Sequence, residues 1–319
     1  MDVIAFLIIV LASFVVVWFV SFLVEALRPA PETPAVIPWD PSLKPAYVTV
    51  DDVRLRYLKV GAGPVLLLLH TLRTQLDLFH KVIPELARDF TVYALDYPGH
   101  GYSDIPGGSY NADFFVKYVN GFLEELDLTG VILSGVSIGA SISLIIAARR
   151  NPRVIRIIPI NPYDYYEGKG LARASLLGRV VVRLAAIPVV GDTTMRLRNY
   201  GIMKSVLAGG VSDPTSISPA LMKEMYKVGN RRGHYRSFIN LLRNSSSWEH
   251  ARSEYGNINV PTFMIWGAED WSLPEERRYD ESLIPGVQSV TLETGGHFLP
   301  LDAPDDIVRH IRDRGLIGA

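Results

Sequence analysis

Val131-Ile-Leu-Ser134-Gly135-Val136-Ser137-Ile138-Gly139-Ala140-Ser141-Ile142 is the stretch on which the reading of this chain turns. Val131–Leu133 has the look of a short buried strand, and Gly139–Arg150 that of an apolar helix. Between them Gly135-Val136-Ser137-Ile138-Gly139 places a serine where strand becomes helix, with a glycine two residues away on each side. A turn that sharp brings backbone against backbone, and side chains at the flanking positions would collide. Such a turn presents the serine hydroxyl at a helix N-terminus, where the dipole and unpaired N–H groups favour developing negative charge. Ser137 is therefore the candidate nucleophile.

Outward from this point the chain alternates strand and helix. Tyr47–Val50 and Val53–Val60 read as a strand pair turning at Asp51-Asp52. Val65–Leu69, Thr91–Leu95, Gly130–Leu133 and Val154–Ile160 read as apolar strands of a parallel sheet, with helices expected over Asp77–Arg88, Asn111–Leu126 and Gly139–Arg150. The alternation stops at Asn161 and resumes at Pro261, where Thr262–Trp266 and Ser289–Leu292 complete the strands. This is an α/β pattern with a doubly wound sheet. The mostly helical insert, residues 161–250, is expected to sit as a cap over the C-terminal strand ends, splitting the core into 46–160 and 251–319.

A serine needs a base, and the base needs a group to orient it. His297 lies in Thr294-Gly-Gly-His297-Phe, a glycine-rich loop after the last strand, and Asp270 lies in Trp266-Gly-Ala-Glu-Asp270-Trp, directly after Thr262–Trp266. Asp270 is the preferred acid; its neighbour Glu269 and Asp164, after an earlier strand, are the other candidate positions. The order serine, acid, histidine suits an α/β scaffold.

With Asp96-Tyr-Pro-Gly-His-Gly-Tyr-Ser-Asp104, these motifs form an ordered set that resembles the α/β-hydrolase superfamily from about Tyr47 to Arg314, the cap excluded. The resemblance implies a mostly parallel eight-stranded sheet with helices on both faces, a Ser137–Asp270–His297 triad and no cofactor. The related dehalogenases and epoxide hydrolases carry an aspartate at the elbow, so Ser137 argues against both activities. The superfamily's oxyanion loop implies Leu72 and Ile138 N–H groups as donors. Here that loop reads His70-Thr-Leu-Arg-Thr74, and Thr71 stands where glycine is usual, which predicts strain or a reshaped oxyanion hole. Arg73 is expected to face solvent or form a structural ion pair, with recognition of an anionic substrate group as the alternative. His100 is expected to be a scaffold residue.

Val3–Val24 contains 22 residues without a charge, long enough to cross a ~30 Å hydrocarbon core. No Lys or Arg precedes it and it exceeds the usual apolar length of a cleaved signal, so residues 1–27 read as a retained anchor. Arg28 and Lys44 follow it while Asp2 alone precedes it, so the positive-inside tendency favours a cytoplasmic catalytic domain. Residues 28–45 hold six prolines, predicting an extended spacer that holds the domain off the bilayer. Anchor plus capped domain is similar in architecture to membrane-bound monoacylglycerol lipases and esterases.

The rest of the composition bounds the function. Net charge is −1, giving no reason to expect nucleic acid, and the absence of cysteine excludes disulfides, a thiolate nucleophile and Cys-ligated zinc. Residues 165–250 carry 13 Lys or Arg against 5 Asp or Glu, interleaved with apolar stretches, which suits a bilayer surface as well as a solvated lid. The expected function is hydrolysis of a lipid-like carboxylic ester through an acyl-enzyme on Ser137. Acyl transfer, thioester or C–C bond cleavage by the same triad, or a non-catalytic membrane accessory role, remain as alternatives.

Overall fold

The computed structural model describes residues 2–316; Met1 and 317–319, the outer ends of the expected segments, lie outside the described residues. Eight strands form one sheet: β1 Ala46–Val50, β2 Val53–Val60, β3 Val65–Leu69, β4 Thr91–Leu95, β5 Val131–Val136, β6 Val154–Ile160, β7 Phe263–Gly267 and β8 Gln288–Leu292. Their order is β1-β2-β4-β3-β5-β6-β7-β8, with β1 and β2 antiparallel to their neighbours and the remainder parallel. The connection from β3 to β4 runs one way across this order, and those from β4 to β5 and β5 to β6 run the other. Right-handed crossovers therefore place their helices on opposite faces. Covered on both sides, β3 and β5 bury mostly apolar side chains: Leu66–Leu69 are fully buried, as are Val131, Leu133 and Val136, while the buried Ser134 of β5 donates Oγ–H to Ile158 O at 2.9 Å.

One expected helix is different. Asp77–Arg88 is a 3-10 turn at Leu76–Phe79 followed by a short helix at Ile83–Leu86. Pro84 lacks the N–H that a continuous helix would need at that point. Asp77 is also drawn aside, its Oδ2 accepting from Arg56 at 2.8 Å while Arg56 Nε donates to Asp96 at 2.6 Å.

Between β6 and β7 the chain forms a helical layer running from Leu171–Ala174 to Ser246–His250. Its buried residues, among them Met203, Leu207, Met225, Phe238 and Trp248, continue the core of the sheet. Segment Gly209–Ser212 touches the loop of His297: Phe298 N–H donates to Gly210 O at 2.7 Å, and Ser212 N–H donates to Asp302 Oδ2 at 2.9 Å.

The N-terminal helix, Val3–Ala26, is long and apolar enough to cross a membrane, with mean hydropathy 3.1. Its last turn is built into the helical layer. Glu25 is buried and pairs with Arg198 at 2.6 Å and Arg28 at 3.1 Å, and it also accepts from Gly233 N–H at 2.7 Å. Arg28 is buried, donating to the carbonyls of Arg196 and Arg198, and the Arg196 guanidinium lies 3.8 Å from the Phe22 ring centroid. The proline-rich stretch does not stand off from the domain. Ile37 is fully buried, and Arg232 N–H donates to Pro29 O at 2.8 Å.

Candidate active site

The elbow forms as its residue pattern demands. Ser137 has φ 61° and ψ −120°, a region costly for a residue with a side chain, and it caps the helix Ile138–Ala148. A Cβ on Gly135 would lie 2.4 Å from the backbone of Gly139, and one on Gly139 would lie 2.2 Å from Leu69 O. Only glycine permits that approach, which sets the elbow against the end of β3. Ser137 N–H donates to Ile160 O at 3.0 Å, tying the turn to the neighbouring strand. The hydroxyl is buried and has no hydrogen-bond partner among the described residues.

Asp270 and His297 come together at the ends of β7 and β8. His297 Nδ1 lies 2.5 Å from Asp270 Oδ1, both side chains fully buried. An ionised Asp270 accepts here, so Nδ1 holds the proton and Nε2 is the acceptor; Nε2 is buried and unpartnered, like the Ser137 hydroxyl. Burial would push the Asp270 carboxyl up, but the charge and hydrogen bond of His297, with two bonds from Ser272, hold it below the usual value. Those two bonds come from Ser272 N–H at 2.9 Å and Ser272 Oγ at 2.5 Å.

Three further residues build the site, and sequence reasoning assigned none of them. Trp271 stacks on His297, ring centroids 3.7 Å apart and planes 13° apart, and donates Nε1–H to Gly209 O at 2.8 Å. Ser272 closes a turn on Asp270; an Asp followed two residues later by Ser is the sequence signal for it. Asn161, fully buried with φ 46°, donates Nδ2 to Gly296 O at 3.0 Å and His297 O at 3.2 Å, while its Oδ1 accepts from Gly267 N–H at 2.9 Å. It follows β6, whose Ile160 carbonyl holds Ser137, so one dipeptide ties the elbow to the histidine loop.

The other candidate acids lie elsewhere. Asp164 accepts from Tyr255 OH at 2.5 Å and faces Arg252 and Asp280, a buried structural cluster. Glu269 is exposed. In the loop after β3, Leu72 N–H has no partner among the described residues, and neither has Ile138 N–H at the start of the elbow helix. The strain expected at Thr71 is not there: the left-handed residue is Arg73, at φ 63°. Nor is Arg73 solvent-facing or ion-paired; it is buried against His234 and Phe238. His100 is fully buried among Tyr97, Phe115 and His70, as a scaffold residue would be. Among the described residues no group of three His, Asp or Glu side chains is arranged to hold a metal ion.

Residues 64–304 match the family described as alpha/beta hydrolase fold. Haloalkane dehalogenase 2 of Mycobacterium tuberculosis is 27% identical over 272 residues, covering 82% of this chain and 91% of that one. Bifunctional epoxide hydrolase 2 of Mus musculus is 26% identical over 315 residues, covering 87% of this chain and 56% of the longer mouse protein. Among solved structures, Cfl2 from Burkholderia cenocepacia superposes with a TM-score of 0.75 at 22% identity, covering 85% of this chain and 95% of that one.

Proposed function

Because the chain belongs to the α/β-hydrolase fold family, we propose that it is a membrane-anchored serine hydrolase that cleaves a lipid-like carboxylic ester. The observation that carries this reading is a histidine whose Nδ1 is fixed on Asp270 and whose Nε2 is buried and unpartnered, in a fold that also holds the buried, unpartnered hydroxyl of Ser137 on a strained elbow. The activities of the dehalogenase and epoxide hydrolase relatives are not proposed for this chain, because the superfamily resemblance gives those enzymes an aspartate at the elbow and position 137 is serine.

In the proposed reaction His297 Nε2 takes the Ser137 proton as Oγ attacks the ester carbonyl carbon. The Leu72 and Ile138 N–H groups hold the resulting oxyanion. His297 then returns the proton to the departing alcohol, leaving an acyl-enzyme. A water molecule, deprotonated by the same nitrogen, releases the acid. Asp270 keeps the imidazole in the required tautomer and stabilises its charge. A threonine with ordinary backbone angles at position 71 supports a working oxyanion loop over a non-catalytic role.

The membrane part of the reading is supported by the seating of Glu25. Removing the helix would leave Arg28 and Arg198 buried without their carboxylate, which favours a retained anchor over a cleaved signal. The adjoining cap surface supports contact with a bilayer: Leu176, Val180, Ile187 and Val189 are exposed beside the exposed Arg179 and Arg183. The test is turnover of p-nitrophenyl esters of graded chain length by the detergent-solubilised full chain. Ester release falling at least about 10³-fold in Ser137→Ala is expected. No turnover of any ester by folded wild type would remove the reading.

A further inference from the structure

Next to the expected oxyanion donor Leu72 lies a charge that the proposed reaction leaves unused. Arg73 is 9% exposed, and among the described residues no carboxylate is within ion-pair distance of it. Its hydrogen-bond contact is His234 Nδ1 at 3.3 Å, and its guanidinium carbon sits 4.8 Å from the Phe238 ring centroid. To accept from a guanidinium, His234 Nδ1 must be unprotonated, so the imidazole is neutral and supplies no counter-charge. Burial, with Arg198 and Arg28 nearby, pulls the Arg73 pKa down to about 9, and Glu25 and Tyr226 offset only part of this. Glu25 itself is engaged by Arg198 and Arg28. A buried cation without a counter-charge is costly unless an anion arrives to meet it.

Arg73 also borders a cavity of about 190 Å³ inside the helical cap, walled by Val181, Met203, Leu207 and by Phe238, over whose ring its guanidinium lies. An apolar cavity of ~150 Å³ accepts benzene, so this one is large enough for about six to eight carbon atoms. Val180 and Ile202 also line it and are themselves exposed, so it opens on the apolar and basic surface described above. Nothing else along the walls competes for an anion: Arg198, the other charged lining residue, donates to Glu25 and to the Gly229 and Arg231 carbonyls.

We infer that Arg73 and this cavity form a subsite for an amphiphilic carboxylate, with the carboxylate on the guanidinium and the hydrocarbon part in the cavity. The inference rests on the ester-hydrolase reading for its part in a reaction, Arg73 following the expected oxyanion donor Leu72 in the chain, and it narrows the substrate class to an ester that also bears a carboxylate. A free medium-chain acid entering from the bilayer offers the same chemistry, and the experiment separates the two.

Octanoate and octanol are titrated into full-length Ser137→Ala protein in detergent by calorimetry, beside the same protein carrying Arg73→Gln or Arg73→Lys. At least tenfold tighter binding of octanoate is expected, lost in Arg73→Gln and partly kept in Arg73→Lys. Equal binding of acid and alcohol overturns the inference, as does a preference that persists in folded Arg73→Gln. Should Arg73→Gln fail to fold, the comparison of the two ligands on Ser137→Ala alone still decides. With wild type, a tenfold higher kcat/KM for monomethyl suberate than for dimethyl suberate assigns the carboxylate to the substrate. Competitive inhibition by octanoate without that preference assigns it to a free acid at the same subsite; where esters are turned over, the absence of both effects overturns the proposal. If the octanoate preference holds while no ester is turned over, the hydrolase reading falls and the subsite stands; the reverse pattern removes the subsite alone.

Discussion

Replacing Asn161 by alanine tests how the histidine loop is held. The side chain makes three bonds, two to the carbonyls of Gly296 and His297 and one from Gly267 N–H, in a fully buried position. Losing the amide orphans the Gly267 N–H, at about 1–3 kcal/mol, and deprives two buried carbonyls, at roughly 0.5–1 kcal/mol each. Alanine at φ 46° adds about 1 kcal/mol that asparagine largely escapes. The total is about 3–6 kcal/mol, and at roughly 2–4 °C per kcal/mol the unfolding temperature falls by at least about 6 °C. Asp270 and the stacked Trp271 still grip the ring, so the folded variant keeps a histidine whose backbone has drifted. A misplacement near 1 Å costs about 10²-fold in rate, so inactivation by a fluorophosphonate slows by that order with little change in ester KM. Asn161→Gly removes the backbone strain alone and recovers about 1 kcal/mol of stability, but not the rate. Loss of less than about 1 kcal/mol together with an unchanged inactivation rate would refute the reasoning.

Glu25→Ala leaves Arg28 and Arg198 buried without their carboxylate; a loss of about 3–5 kcal/mol is expected, read as cap helices cut early in limited proteolysis. Burial and the neighbouring Asp164 push the Asp280 carboxyl well up, favouring its protonated form, so Asp280→Asn, which resembles that form, should change the unfolding temperature little. Arg252→Met, which removes the cation between those two acids, should cost about 3–5 kcal/mol in denaturant titration. Burial lowers His70 and His100 from 6.5 to about 3 and His234 well below 6.5, so the folded protein keeps them neutral while the unfolded chain takes up protons. Their contribution is fully present above pH 6.5 and is lost as pH falls toward about 3. Stability should drop by about 1.4 kcal/mol per pH unit per histidine, less steeply in His100→Gln.

The sheet was legible wherever burial is mostly two-sided, because such strands are dominated by apolar residues. Val65–Leu69, Thr91–Leu95 and Val154–Ile160 match residue for residue. The helix expected over Asp77–Arg88 was not, because a proline and a distant ion cluster override a plausible local pattern. Within the site, Ser137, Asp270 and His297 each follow a strand, so position along the chain was enough to propose them. Asn161 and Trp271 act across the fold, through partners far away in sequence, and no local pattern announces them. Arg73 shows the limit most clearly. Its type and place were plain, but its lack of a counterion depends on three separate segments, those of Glu25, of Arg198, and of the helix that carries His234 and Phe238. The same holds for the proline-rich stretch, whose contacts with the domain rest on Arg232 and on the pocket that buries Ile37.

The central claim is that the Ser137 hydroxyl is a nucleophile activated by His297. Full-length protein in detergent, treated with a fluorophosphonate and digested for mass spectrometry, measures it directly. One adduct per chain on Ser137 is expected, none there in Ser137→Ala, and labelling slowed by at least about 10³-fold in His297→Ala. A folded wild-type protein that takes no label, or labels at another serine, would contradict it.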